Sequence, residues 1–197
     1  QSMYEVADYT DVNGHGTAVL LEAMIERAKR RPFDRLVVAS SMSIYGEGLY
    51  RAADGSLVEA AERGALQLKR GQWDPMDRDG RPLEAVPTPE AKPPAVASVY
   101  ALSKYDQERL CLVVGQAYDI PTVALRFFNT YGPHQALSNP YTGVLAIFAA
   151  RLLNGRPPVI FEDGKQRRDF VYVADVVEAC RLALVCDAAV GRAFNIG

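Results

Sequence analysis

The chain has 197 residues, 49% of them apolar, with 22 basic and 24 acidic side chains and a formal net charge of −2. That length suits one domain with a sizeable core, and no apolar run approaches the roughly 20 residues of a membrane span. The balanced charge argues against a general nucleic-acid-binding surface but leaves room for one anion pocket. These residues show no basic segment leading into the apolar stretch of a secretion signal. Cys111, Cys180 and Cys186 are too few and too scattered for a disulfide framework or a thiolate metal site, so the expectation is no bound metal and reduced thiols in a cytoplasmic protein.

Over residues 9–30 the apolar Val12, Val19, Leu20, Ala23 and Ala28 predict a helix, stopped by Pro32. Leu36-Val37-Val38-Ala39 is a continuous apolar run, as expected of a strand covered on both faces. It ends in Ser40-Ser41-Met42-Ser43, at the carboxyl end of a strand, where open α/β sheets bind ligands. Residues 48–97 break the rhythm. Pro75, Pro82, Pro87, Pro89 and Pro93, with turns at Asp54-Gly55 and Asp79-Gly80, mark an insertion. One short helix is predicted within it, over 57–68, followed by a turn-rich segment around Trp73.

Ser98 is a plausible N-cap for a helix reaching about Tyr118, ended by Asp119-Ile120-Pro121. A strand follows over 122–127, then a polar loop over 129–141. A helix over 144–153 closes at Asn154-Gly155. Val159-Ile160-Phe161, an Asp163-Gly164 turn, a strand over 170–173 and a helix over 175–185 complete the pattern. Phe194-Asn195-Ile196-Gly197 reads as the start of a further strand, and with Gln1 at the other end an excerpt of a longer chain is the expectation. Alternating strand and helix signals predict an α/β fold with a doubly wound, mostly parallel sheet.

The sharpest chemical feature is Tyr100-Ala101-Leu102-Ser103-Lys104. Residues four apart on a helix lie on one face, a turn from each other. An ammonium beside a phenol favours phenolate, which makes Tyr100 a candidate acid/base for a substrate hydroxyl. Taken alone, the spacing equally describes a solvated helix face. Ser41 could bond the same reacting oxygen, or simply cap a turn. Asn13, Gly16 and Thr17 form one stripe that allows close approach to a ligand or to plain packing. Arg167-Arg168-Asp169 offers a guanidinium fork suited to phosphate oxygens, or an ion pair from Arg168 to Asp169 or Asp175. His15 and His134 read as loop or helix residues rather than ligands.

In this order, these motifs make the sequence resemble the extended short-chain dehydrogenase/reductases, in their NAD-dependent sugar epimerase/dehydratase branch. The resemblance rests on residues 9–23 (Tyr-x-x-x-Asn-x-x-Gly-Thr-x-x-Leu-Leu-Glu-Ala), 38–46, 100–104, 125–133 and 161–175, nearly everything outside the insertion. It implies a Rossmann-like fold, divided as 1–47 and 98–135 for the core, 48–97 for the insertion and 136–197 for the substrate-binding region with the closing elements. It implies Tyr100 as the catalytic acid/base, Lys104 as the holder of the nicotinamide ribose, and Ser41 as the catalytic hydroxyl. Asn13 and Phe128 match positions that contact NAD. Ser43, Asn129 and Arg168 match positions that hold a nucleoside-diphosphate sugar, and Phe161 matches one that lines its base. The glycine-rich turn that relatives use for the dinucleotide pyrophosphate is not among these residues. A homodimer through the helices over 9–30 and 98–118 is implied as well.

In the branch that dehydrates sugars, an Asp-Glu pair follows the catalytic hydroxyl; here Met42 and Ser43 stand there. The reading favoured is therefore a nucleotide-sugar 4-epimerase, with a reductase or decarboxylase of the same family, or a non-catalytic binding protein, as alternatives. Some relatives resembling dTDP-L-rhamnose 4-epimerases carry two Cys-x-x-Cys-Gly knuckles in the insertion. This insertion has no cysteine, and is read as a metal-free descendant of that module or as an unrelated loop.

Overall fold

A computed structural model of the chain describes residues 2–59, 61–136 and 143–197. The first helical stretch begins earlier than the apolar spacing predicts. It runs as α1 (Val6–Tyr9), a π-helical segment (Thr10–His15) and α2 (Gly16–Ala28). Thr17, Leu21 and Met24 of α2 face inward at helical spacing, while Val19 and Leu20 are exposed. Strand β1 (Leu36–Ser41) leads into a short 3-10 turn over Met42–Tyr45.

The insertion holds β2 (Leu49–Arg51), β3 (Leu57–Val58), α3 (Ala65–Lys69) and β4 (Glu84–Val86), its three strands forming an antiparallel sheet in the order β3-β2-β4. The helix predicted over 57–68 is thus corrected: residues 57–58 are a strand, and the helix is confined to Ala65–Lys69. The cause is the Asp54-Gly55 turn. Ala52 N–H donates to Ser56 O at 2.9 Å and Asp54 Oδ1 accepts from Ser56 N–H at 2.9 Å, folding the following residues back onto β2 as a hairpin.

Helix α4 (Val99–Ala117) starts at Ser98, whose hydroxyl accepts from Ala101 N–H at 3.1 Å. Next come β5 (Thr122–Phe127), β6 (Asn129–Tyr131) and α5 (Val144–Leu153). The last elements are β7 (Phe170–Tyr172), α6 (Val173–Val185) and β8 (Ala193–Ile196). The polar loop predicted over 129–141 instead opens as β6, paired in parallel with β7 in the register Asn129–Phe170 to Tyr131–Tyr172. Residues 137–142 of that loop lie outside the described residues. Val159-Ile160-Phe161 forms no strand.

The central sheet is parallel, in the order β1-β5-β8. Strand alternation divides its side chains between two cores. Val38 and Ala124 pack with Leu21, Met24 and Cys111 from α2 and α4. On the other face Val37, Val123 and Leu125 pack with Ala179, Cys180 and Ala183 from α6. Helices therefore cover both faces, as apolar parallel strands require, and the expected doubly wound α/β arrangement is the one observed. Register aligns Ser41 with Phe127 and Phe127 with Ile196. The turns after β1 and β5 consequently leave the sheet at one edge.

Candidate functional site

At that carboxyl edge, Ser41 is buried and caps the Met42–Tyr45 turn. Its Oγ accepts from Ser43 N–H at 3.2 Å and bonds Ser43 Oγ at 3.1 Å. Helix α4 packs against this turn, and Ala95 N–H donates to Ile44 O at 2.7 Å just ahead of the helix. The first turns of α4 bear Tyr100 and Lys104. Tyr100 is 37% exposed and meets Tyr9 edge to face, ring centroids 6.2 Å apart. Lys104 is half-buried, its ammonium donating to Gln107 Oε1, while Gln107 Nε2 donates to Thr17 Oγ1 at 2.8 Å. Burial pushes the Lys104 pKa below its ordinary value, partly countered by the neighbouring Cys111.

Asn13, in the π-helical segment, donates from Nδ2 to Ser103 Oγ at 3.0 Å, and Ser103 Oγ donates to Tyr100 O at 3.0 Å. The wide turn thus places an amide against the part of α4 between Tyr100 and Lys104, in keeping with the tendency of such turns to occur at functional sites. Asn129 and Arg168 are also brought near each other along the chain path: Asn129 Nδ2 donates to Asp169 O at 3.0 Å and approaches Met42 Sδ at 3.6 Å. Phe128 lies close to Gly197, where an added Cβ would sit 3.2 Å from Phe128 Cγ and 2.7 Å from Asp169 Oδ2. Arg168 donates to Arg167 O at 2.8 Å and makes no ion pair among the described residues, so the Asp169 and Asp175 partners considered from sequence are not taken up. Phe161 is 76% exposed.

A cavity of about 420 Å³ opens between the insertion and the loop carrying Arg168, with Tyr50, Arg63, Trp73, Glu162 and Arg168 in its wall. A second cavity, about 600 Å³, lies at the opposite end of the strands beside Asp119, Thr122 and Gly191. Among the described residues no cluster of three His, Cys, Asp or Glu could hold a metal ion, and no helix is long and apolar enough to cross a membrane.

Sequence reasoning missed a buried polar network behind the site. Arg126 donates to both carboxylate oxygens of Glu108, at 3.0 and 2.6 Å, to Tyr45 Oη at 2.5 Å and to Glu90 O at 3.1 Å. Burial opposes the charge on Arg126, but Glu108 more than offsets it, and the guanidinium pKa stays above its ordinary value. Burial raises the Tyr45 pKa, with Arg126 pulling the other way. Tyr45 Oη also bonds Asn195 Oδ1 at 2.8 Å, and the buried Lys92 donates to Tyr45 O at 3.0 Å. One signal could have revealed it: Arg126 is a lone charge inside the strand run Thr-Val-Ala-Leu-Arg-Phe, and a charge there needs a buried counterpart.

Comparison with known proteins gives this geometry a context. A curated dTDP-L-rhamnose 4-epimerase of Burkholderia thailandensis is 34% identical over 197 residues, covering 100% of this chain and 53% of that protein. The structure of a UDP-glucose 4-epimerase with UDP-glucose from Thermotoga maritima superposes with a TM-score of 0.74 at 30% identity, over 100% of this chain and 50% of that one. A Thermus thermophilus UDP-glucose 4-epimerase in complex with NAD gives a TM-score of 0.66 at 32% identity, over 100% and 51%. The chain spans about half the length of the relatives it matches. Residues 77–197 match the NAD-dependent epimerase/dehydratase family directly, and the parallel sheet with helices on both faces accords with that match; the chain belongs to this family.

Proposed function

We propose that this chain belongs to an NAD-dependent nucleotide-sugar 4-epimerase, with Tyr100 as the acid/base. The observation that carries the reading is the pairing of Tyr100, whose side chain reaches solvent, with the half-buried Lys104 one turn further along α4, a helix packed on the turn that Ser41 caps. Tyr100 Oη takes the proton from the sugar hydroxyl and returns it when the carbonyl is reduced again. Ser41 Oγ bonds the same oxygen. Lys104 holds the nicotinamide ribose and stabilises charge on Tyr100. Asn129 and Arg168 grip the diphosphate, Ser43 contacts the sugar and Phe161 lies against the base.

The residues present fit the nicotinamide end of NAD: an ammonium, the hydroxyls of Tyr100 and Ser41, and the amide of Asn13 lie on elements that pack together. Phe128 is the further residue proposed to touch it. When bound, NAD supplies reversible hydride acceptance at a sugar carbon. Met42 and Ser43 occupy the positions where dehydrating relatives carry carboxylates, which favours epimerisation over loss of water. A homodimer through the helical stretches over 9–30 and 98–118 is part of the proposal, supported by the exposed Val12, Leu20, Leu102 and Val113; a monomeric mass by sedimentation at micromolar concentration would contradict it. We place the enzyme in the cytoplasm.

The test is inversion at C4 of UDP- and dTDP-sugars by the full-length protein, followed by proton NMR. Tyr100→Phe is expected to lower kcat by about 10²–10⁴-fold with the fold intact. Undiminished turnover in Tyr100→Phe would refute the role of Tyr100, and stoichiometric consumption of NADH without C4 inversion would favour the reductase alternative.

A further inference from the structure

We propose that Arg63 is a positioning residue, latching the 161–168 loop to the insertion so that the insertion governs the affinity of the nucleotide-sugar pocket. This rests on the assignment of Arg168 and Phe161 to substrate. Arg63 uses every arm of its guanidinium. Nε and Nη2 donate to Glu47 Oε1 at 3.1 and 2.9 Å, and Nη1 donates to the two oxygens of Glu162 at 3.1 and 3.2 Å and to Trp73 O at 3.5 Å. The arginine and Glu162 side chains are only 24% and 21% exposed.

Three parts of the chain meet at this one cation. Glu47 follows the turn that Ser41 caps, Arg63 and Trp73 belong to the insertion, and Glu162 opens the loop that ends at Arg168. Glu162 adopts a positive φ of 58°, a conformation that a non-glycine residue holds only when its surroundings fix it. Here the fixing contacts are Arg63 and Gln166, whose Nε2 donates to Glu162 Oε2 at 2.8 Å. The same residues line the 420 Å³ cavity with Arg168, Arg167 and Tyr50. Without Arg63, Glu47 and Glu162 would face each other uncompensated, and the loop would lose its tie to the rest of the cavity wall. A lysine has one ammonium on a flexible stem and cannot present the fork that engages both carboxylates.

The experiment uses the full-length protein with Arg63→Gln, Glu162→Gln and the double variant, read by steady-state kinetics on the UDP- or dTDP-sugar and by amide hydrogen exchange over 161–168. The latch predicts a KM raised about tenfold, the weight of a lost charge-assisted hydrogen bond. It also predicts kcat within about twofold, unchanged NAD affinity, faster exchange in the loop, and no further rise in the double variant. Arg63→Lys should recover little of the loss. Unchanged exchange over 161–168 in Arg63→Gln overturns the latch, whatever the activity. Faster exchange with unchanged KM overturns its link to substrate, and a fall in kcat together with a lower melting temperature overturns it in favour of a merely structural role. A wild-type protein that turns over no nucleotide sugar overturns the epimerase reading instead, and the exchange measurement still decides whether the latch exists.

Discussion

Glu108 of α4 and Arg126 of β5 face each other across the helix–sheet boundary as a two-point ion pair, with Ser40 Oγ donating to the same Glu108 Oε2 at 2.6 Å. Glu108 lies one turn beyond Lys104, and Ser40 precedes Ser41. The pair ties the helix bearing Tyr100 and Lys104 to β5, and the Ser40 bond ties the same carboxylate to β1, the strand that carries Ser41. Arg126→Met should cost about 3–5 kcal/mol, because Glu108 then keeps only the Ser40 hydroxyl and is left buried without its countercharge. Replacing both, as Glu108→Leu with Arg126→Met, should cost clearly less than the sum of the single changes. Urea denaturation of the three variants measures this, and strict additivity would show that the two residues act independently.

The thiols should react in order of access. Cys111 is 4% exposed, and burial pushes its pKa from 9.0 up to about 11, with Lys104 opposing; Cys186 is exposed. Iodoacetamide near neutral pH should label Cys186 and spare Cys111 until denaturant is added. The pH dependence follows from the same shift. Between pH 9 and about 11 the unfolded chain gives up the Cys111 proton while the folded chain keeps it, so stability falls as the pH rises through that window. The urea midpoint of Cys111→Ala should decline less than that of the wild type between about pH 8 and pH 10. Parallel declines would contradict the shift.

At Gly115, α4 packs tightly against the start of β5. A Cβ added there would overlap Thr122 Oγ1 and lie 2.8 Å from the backbone oxygen of Ile120. That backbone cannot yield easily, since Ile120 N–H donates to Gly115 O at 2.9 Å. Gly115→Ala should therefore destabilise by about 1–3 kcal/mol despite the helix preference for alanine. A melting temperature equal to or above that of the wild type would contradict this packing.

Several elements were legible from local signals. Ser98 marks the start of α4, Asn154-Gly155 the end of α5, and the apolar runs at 36–39 and 122–127 mark the two central strands. The Tyr100–Lys104 spacing became informative once motifs at 9–23, 125–133 and 161–175 stood in order with it. What was not legible depends on contacts between distant residues. The β6–β7 pairing joins Asn129 to Phe170, and nothing near Asn129 announces such a partner. Leu57-Val58 is too short for its own periodicity to speak, and hairpin geometry decided it. Nothing in the residues next to Arg63 sets it apart from the other charges of the insertion; its convergence with Glu47 and Glu162, distant in sequence, does.

The insertion is fastened at both ends close to the sheet edge. At Gly46, with a φ of +65°, a Cβ would lie 2.7 Å from Ala95 O. Ala95 N–H reaches Ile44 O at 2.7 Å, Leu49 N–H reaches Thr88 Oγ1 at 3.1 Å, and Asn195 Nδ2 reaches Thr88 O at 2.8 Å. Lengthening a loop whose ends are already held adds little closure entropy. The stretch between Leu49 and Val86 therefore behaves as a cassette on two fixed posts. Its length and contents can change while the sheet edge that carries Ser41 stays in place.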